Sequence, residues 1–491
     1  MYAYPLPLRI LRLCCFLIGF LFIVSIGGSS VTWGCYAVVV GKDVSADGSV
    51  LLGHNEQNGG ERILNFRRIP RRRYEEGATV RLRRGGEFAQ VEETWAFLWS
   101  ENPGLAFSDG YLNEWGVAVV SDGCPSREDG YFRLMYRGEI RGGGIGYMLR
   151  RLVAERARSA REGVEIAGKL VERFGYVDSG RTYVIADPSE AWLLSVVRGR
   201  RWVAQRVPDD RVVLLPNVYI IGEVNLDDNN NFLGSPDLVD YAVERGWYKP
   251  EKGNPFNFRE TYGKTDVKQP DPRQLRGQQM VVGEIFSWPE GEPLPFSVKP
   301  HRKLTVRHVL QILRDRKASI CIPQTQEAGV FQLRSEMPKE IGCIYWRTTA
   351  EPSVSVLTPW YLGITSTPDC YYRPAEIEAH LSLNYHFSPP AGTFNPDPDL
   401  AWWKFMALQE TVHKDYDNRI GEVRSGWDDF ESRIFDEQAA FEQQTLGLLR
   451  TDRDAARERL TEYCRDIALE ACHRADELRR QLQTSNGDDS P

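Results

Sequence analysis

The chain has 491 residues, 42% of them hydrophobic and 26% charged, with a net charge of −7 from 61 basic and 68 acidic residues. That balance excludes a disordered chain, a collagen-like chain and a multi-span membrane protein. It also leaves no Lys/Arg excess for a broad nucleic-acid-binding face.

The first 34 residues depart from this average. They carry Arg9 and Arg12 and no acid, then an apolar run over 13–26, then Gly27-Gly28-Ser29-Ser30. A basic end, a short apolar stretch and small residues predict a secretory signal peptide. The run is shorter than the roughly 20 residues of a spanning helix. The expected location is therefore secreted, periplasmic or in a vesicular lumen. An uncleaved membrane anchor is the alternative, and membrane association follows only if residues 1–34 are retained. Their removal takes away Cys14 and Cys15 and leaves Cys35, Cys124, Cys321, Cys343, Cys370, Cys464 and Cys472. An odd number leaves at least one thiol free or paired between chains in an oxidising compartment, with the other six able to form up to three bridges. Cys35 is the candidate for the free one.

Residues 35–41 read as a β-branched strand, 42–48 as a turn signalled by Asp47-Gly48, and 49–53 as the returning strand. The basic run 67–73, interrupted by Pro70, reads as an exposed loop or edge strand. Strands are expected at 95–99 and 116–120, helices at 145–160 and 163–174, and strands again at 182–186, 191–197 and 201–207. Residues 212–221 are apolar and β-rich. Loops around a short helix near 236–247 fill 227–300, and 301–314 looks helical. Segments 353–357 and 359–364 look strand-like, and helical patterning covers 400–412 and 428–483. The glycine-rich stretch 141–146 lacks the dinucleotide-binding spacing, and no Cys-x-x-Cys or His-Glu-x-x-His pattern occurs. No cofactor or metal is expected.

A cysteine that opens a strand just after a removable segment suggests one mechanism. Cleavage between Gly34 and Cys35 would give that residue both a thiol and a free α-amine. An α-amine with a pKa near 7.7–8.0 accepts a proton at neutral pH, so nucleophile and base would share one residue. A buried or disulfide-bonded structural cysteine is the competing reading.

The stretch from Cys35 to Asn55, CYAVVVGKDVSADGSVLLGHN, resembles the start of the dipeptidase and secernin group of cysteine N-terminal-nucleophile hydrolases. The resemblance continues through Asn113-Glu114-Trp115-Gly116-Val117, Glu190-Ala191-Trp192-Leu193-Leu194, Asn217 and Ile221-Gly222-Glu223. It then runs through Gly246-Trp247-Tyr248, Phe256-Asn257-Phe258, Phe331-Gln332-Leu333-Arg334, Tyr345-Trp346-Arg347 and Trp402-Trp403-Lys404-Phe405. It implies an α+β fold, a four-layer αββα sandwich over residues 35–445, followed by a C-terminal helix and polar tail over 446–491. It implies hydrolysis of amide bonds, commonly in dipeptides, through a thioester on Cys35. Asn217 is implied as a donor to the substrate carbonyl oxygen, a task suited to a side-chain amide. The other reading of Asn217 is a turn residue after Pro216.

The sequence departs from the group where an Arg and an Asp are usual. His54 and Gln57 stand at those positions. In the group the Arg lies near the thiol and the Asp bonds the amine. A neutral imidazole does not replace a permanent cation, although His54 could charge in a mildly acidic compartment. Gln57 can accept an amine hydrogen bond but supplies no counter-charge. Glu56 is acidic but on a strand points to the opposite face from Gln57. Ser121 and Asp122 fall near the expected second substrate-binding position, with Asp122 alternatively a loop acid beside Cys124. The leading expectation is a Cys-dependent dipeptidase acting on dipeptides or small amides, with autoprocessing open. An N-acyl amide hydrolase on the same fold and a non-catalytic secreted or membrane-anchored protein are the alternatives. The apolar C-terminal stripe serves either self-association into a homo-oligomer or packing on its own domain.

Overall fold

In the computed structural model, which describes residues 34–57, 63–103, 109–250, 253–264, 270–289, 291–374 and 394–484, the β-branched run after Cys35 forms the buried strand Tyr36–Val40. The expected leader lies outside the described residues apart from Gly34, as does the polar tail beyond 484. Tyr36–Val40 sits inside a six-stranded antiparallel sheet. On one side it pairs with the returning hairpin strand Val50–Gln57, with Tyr36 opposite Asn55. On the other it pairs with Val212–Leu215, with Ala37 opposite Leu215. Strands Thr325–Leu333, Cys343–Arg347 and Thr358–Tyr361 complete this sheet beyond Val50–Gln57.

The second sheet has eight strands. Its centre is Ala118–Gly123, Tyr176–Ala186 and Ala191–Gly199, and Asn65–Ile69 is one edge, so the basic run begins on an edge strand as expected. Alternation along its strands divides the core in two. Val120, Val184 and Leu193 pack in one apolar cluster with Tyr36 and Val38 of the first sheet. Val119, Ile185 and Trp192 point the other way, onto helices Met148–Arg156 and Ala160–Phe174. Ser159 caps the second of these by accepting from Glu162 N–H, and Gly175 ends it. Helices Pro272–Val282 and Val306–Leu313 and the C-terminal helices lie against the six-stranded sheet. The four layers, helix–sheet–sheet–helix, are those of the expected αββα sandwich.

Several elements differ from expectation. The strand after Val212 stops at Leu215, because Pro216 has no N–H to continue a ladder. The helix expected from 301 starts at Val306, where Thr305 and His308 form a reciprocal cap. Residues 353–357 do not form a strand. Their carbonyls are taken by side chains instead: Val354 by Trp427 Nε1 and Ser355 by Arg314 and Arg424.

The helical end is three helices, Ala401–His413, Tyr416–Leu449 and Arg453–Thr484, with a break at 450–452. The last helix buries Leu460, Cys464, Ala468, Ala471, Ala475 and Leu478, and Cys464 Sγ accepts from Tyr361 N–H at 3.5 Å. Its apolar stripe thus packs within the chain. All seven cysteines from Cys35 onward are free thiols, in place of the bridges left open by the count. Among the described residues, no helix is long and apolar enough to cross a membrane.

Candidate active site

Cys35 immediately precedes the strand Tyr36–Val40 and is 6% exposed. Its thiol donates to Glu56 Oε1 at 3.4 Å, and its sulfur accepts from Gln57 N–H at 3.4 Å. Both partners come from the returning hairpin strand, so the Asp47-Gly48 turn folds this part of the site locally. Alternation along Val50–Gln57 sends His54 and Glu56 toward the eight-stranded sheet and Asn55 and Gln57 toward the helices. Asn55 Nδ2 accordingly donates to Leu313 O and Ile320 O.

Gln57 Oε1, the atom expected to accept from the amine, is buried without a hydrogen-bond partner among the described residues. Gln57 Nε2 donates to Ile320 O at 2.6 Å and Thr325 Oγ1 at 3.0 Å, while its backbone N–H meets the Cys35 sulfur. The carboxylate at the thiol is Glu56, on the opposite face. Glu56 is backed by Arg150 at 3.8 Å and by a side-chain hydrogen bond with Asp109. Burial resists ionisation of Glu56, but His54, Arg150, the Asp109 bond and Arg181 together hold its pKa down. Asp109 is pushed well up by burial and by the Glu56 charge, so it is the protonated partner of the pair.

His54 is buried, with Nε2 3.8 Å from Asp122 Oδ1. Burial is the main cause that pulls its pKa to about 4, against the Glu56 charge. It is neutral in a mildly acidic compartment, which corrects the expectation that it could charge there. Burial and the Glu56 charge push Asp122 well up. The Cys35 thiol is also raised well above its ordinary value, by burial first and then by Glu56 and Asp122. Ser121 is engaged elsewhere: its Oγ and carbonyl accept from Arg181 Nη1 at 3.1 and 3.4 Å. Arg181, from the strand Tyr176–Ala186, is buried, with its guanidinium carbon 4.5 Å from the Tyr147 ring centroid.

On the other side of Cys35, Arg273 Nη1 donates to Gly34 O at 2.8 Å, to Asn217 Oδ1 at 2.9 Å and to Cys35 O at 3.4 Å. Asp271 caps the helix Pro272–Val282 and pairs with Arg273 at 3.2 Å. The Asp-Pro-Arg run is a helix-start signal and was the one local cue to this residue. Arg offers only donors, so Asn217 must turn Oδ1 toward it, and its Nδ2 is left to donate elsewhere. A Cβ on Gly34 would sit 2.3 Å from Asn217 Oδ1, so this position takes only glycine without a shift. Arg150, Arg181 and Asp109 carry no local sequence signal. They reach the site through the pairing of distant strands and a helix.

The sequence profile of Peptidase family C69 matches residues 128–318 and 314–428. The chain belongs to Peptidase family C69. It is 26% identical to a probable dipeptidase of Latilactobacillus sakei over 371 residues, covering 69% of this chain and 76% of that protein. It is 26% identical to a probable dipeptidase of Salmonella dublin over 385 residues, covering 72% and 86%. Dipeptidase A of Lactobacillus helveticus is 24% identical over 379 residues, covering 69% and 77%. The profile covers Asn217, Arg273, Arg150 and Arg181, and Cys35 lies ahead of it.

Proposed function

We propose that this C69 chain is a cysteine-dependent dipeptidase. It acts after residues 1–34 are removed, in a secreted, periplasmic or vesicular setting. The observation that carries the reading is the placement of Cys35: in a peptidase-family chain, it heads a central strand with Glu56 on its thiol and Arg273 on the carbonyl that precedes it.

Release of Gly34 gives Cys35 an α-amine. That amine takes the thiol proton as sulfur attacks the substrate carbonyl carbon, then returns a proton to the departing amine. A base within the nucleophilic residue suits this site, where the buried thiol is held protonated. The Asn217 amide, oriented by Arg273, faces the oxyanion that develops as the tetrahedral intermediate forms. Water then cleaves the thioester and restores the thiol. The Gly34 carbonyl occupies the place on Arg273 that a polar substrate group takes once the leader has gone.

N-terminal sequencing of the mature protein with thiol labelling tests the reading. A chain beginning at Cys35 with a labelled thiol is the expected result. A mature chain that retains residues ahead of Cys35 contradicts the mechanism.

A further inference from the structure

Three donor atoms of different chemistry converge where the two sheets meet. Cys35 Sγ, His54 Nε2 and a carboxylate oxygen of Asp122 all lie within 4.8 Å of one another, and all three residues are buried. They come from three places: the residue ahead of Tyr36–Val40, the returning strand Val50–Gln57, and Ala118–Gly123 of the second sheet. His54 Nε2 and both carboxylate oxygens of Asp122 are buried without a hydrogen-bond partner among the described residues, and their nearest approach is 3.8 Å. Buried polar atoms without partners cost free energy, and such atoms call for an explanation.

We infer that Cys35, His54 and Asp122 bind one Zn²⁺ ion. Thiolate sulfur, imidazole nitrogen and carboxylate oxygen are the ligand types zinc takes, and three protein ligands leave a fourth tetrahedral position for water. Zinc bond lengths place neighbouring ligand atoms about 3.3–3.8 Å apart, so the set needs a contraction of about 1.5 Å at most. Sulfur and imidazole nitrogen select against Mg²⁺ and Ca²⁺, which take oxygen ligands. The Ser121 backbone hydrogen-bonds the imidazole and holds the ring, the support that metal-bound histidines receive. Binding forms the zinc–sulfur and zinc–carboxylate bonds, releases to solvent the thiol proton and the proton held on the Asp122 carboxyl, and transfers no electrons. With thiolate and carboxylate, the buried complex is neutral overall.

The ion also occupies the sulfur that would attack substrate, so the zinc-loaded protein is a silenced form and a chelator restores it. That consequence rests on the dipeptidase reading; the binding does not.

The full-length protein, stripped with a chelator, is titrated with zinc chloride against a chromophoric zinc indicator. Alkylation of Cys35 by iodoacetamide is then followed by peptide mass spectrometry. The expected result is one equivalent of zinc at this site and at least about tenfold slower Cys35 alkylation. Asp122→Asn and His54→Gln should each weaken binding at least about tenfold, and Cys35→Ala should remove it, with magnesium chloride giving no protection. Cobalt(II) should give a thiolate–cobalt absorption band in wild type that Cys35→Ala lacks. The site is overturned if zinc leaves Cys35 alkylation unchanged, or if folded Asp122→Asn and His54→Gln bind zinc as tightly as wild type. Dipeptide hydrolysis by the zinc-free mature protein, beginning at Cys35, is measured in parallel, with zinc protection of Cys35 checked in that same form. Hydrolysis without zinc protection overturns the metal site alone, whereas protection in a protein that hydrolyses no dipeptide supports the site and contradicts the dipeptidase reading.

Discussion

The thiol of Cys35 donates to Glu56 Oε1 across 3.4 Å, and Glu56 in turn shares a proton-bearing contact with Asp109 and lies 3.8 Å from Arg150. The residue proposed as nucleophile therefore rests on a buried, charge-compensated carboxylate pair.

Glu56→Gln should make Cys35 more reactive toward alkylation. Burial is the first cause of its raised pKa and the Glu56 charge the second. Removing that charge lowers the thiol pKa, so more thiolate is present at neutral pH. Each unit of lowering raises the thiolate fraction about tenfold. Iodoacetamide kinetics in the full chain read this directly, and an unchanged rate would show that Glu56 does not act through its charge.

Asn217→Ala should lower kcat by about 10²–10³ with a much smaller change in KM, because an oxyanion donor works mainly in the transition state. Steady-state dipeptide hydrolysis separates the two parameters. A loss confined to KM would make Asn217 a binding residue only.

Arg273→Ala should destabilise the fold by about 3–5 kcal/mol, the usual cost of breaking a buried ion pair. It leaves Asp271 without its partner and removes the donor to Gly34 O and Asn217 Oδ1. Urea unfolding measures the loss. Arg273→Lys keeps the charge but not the forked geometry, and should recover only part of it.

Glu351 supplies a pH dependence of its own. It is fully buried; burial opposes its ionisation, yet His413 at 2.6 Å, Ser353 and Arg316 hold its pKa below the ordinary 4.5. A carboxylate with a depressed folded pKa adds stability above 4.5, and that stability is lost as pH falls through the folded value. His413→Gln should therefore cost stability at neutral pH, and the gap from wild type should narrow in acid. Urea unfolding at a series of pH values checks this, and a gap that widens in acid would contradict it.

Local signals made the first half of the site legible. The hairpin around Asp47-Gly48 carries Cys35, His54, Glu56 and Gln57 in one short segment, and its alternation fixes which of them face the second sheet. Alternation also separated Glu56 from Gln57 correctly, but not which face held the thiol, because that depends on what packs above it. The strand Thr325–Leu333 inserts between Val50–Gln57 and Cys343–Arg347, and no local pattern announces a partner so distant in sequence. Arg150 and Arg181 look like ordinary members of a helix and a strand until the two sheets are stacked. The segment 353–357 has strand-like composition, yet Trp427, Arg314 and Arg424 outcompete a neighbouring strand for its carbonyls.

The central claim is that Cys35 attacks a peptide carbonyl. The most direct measurement is dipeptide hydrolysis by the mature wild-type protein beside Cys35→Ala, both shown to be folded. The account predicts turnover in wild type and none above background in Cys35→Ala. Equal rates in the two proteins would contradict it.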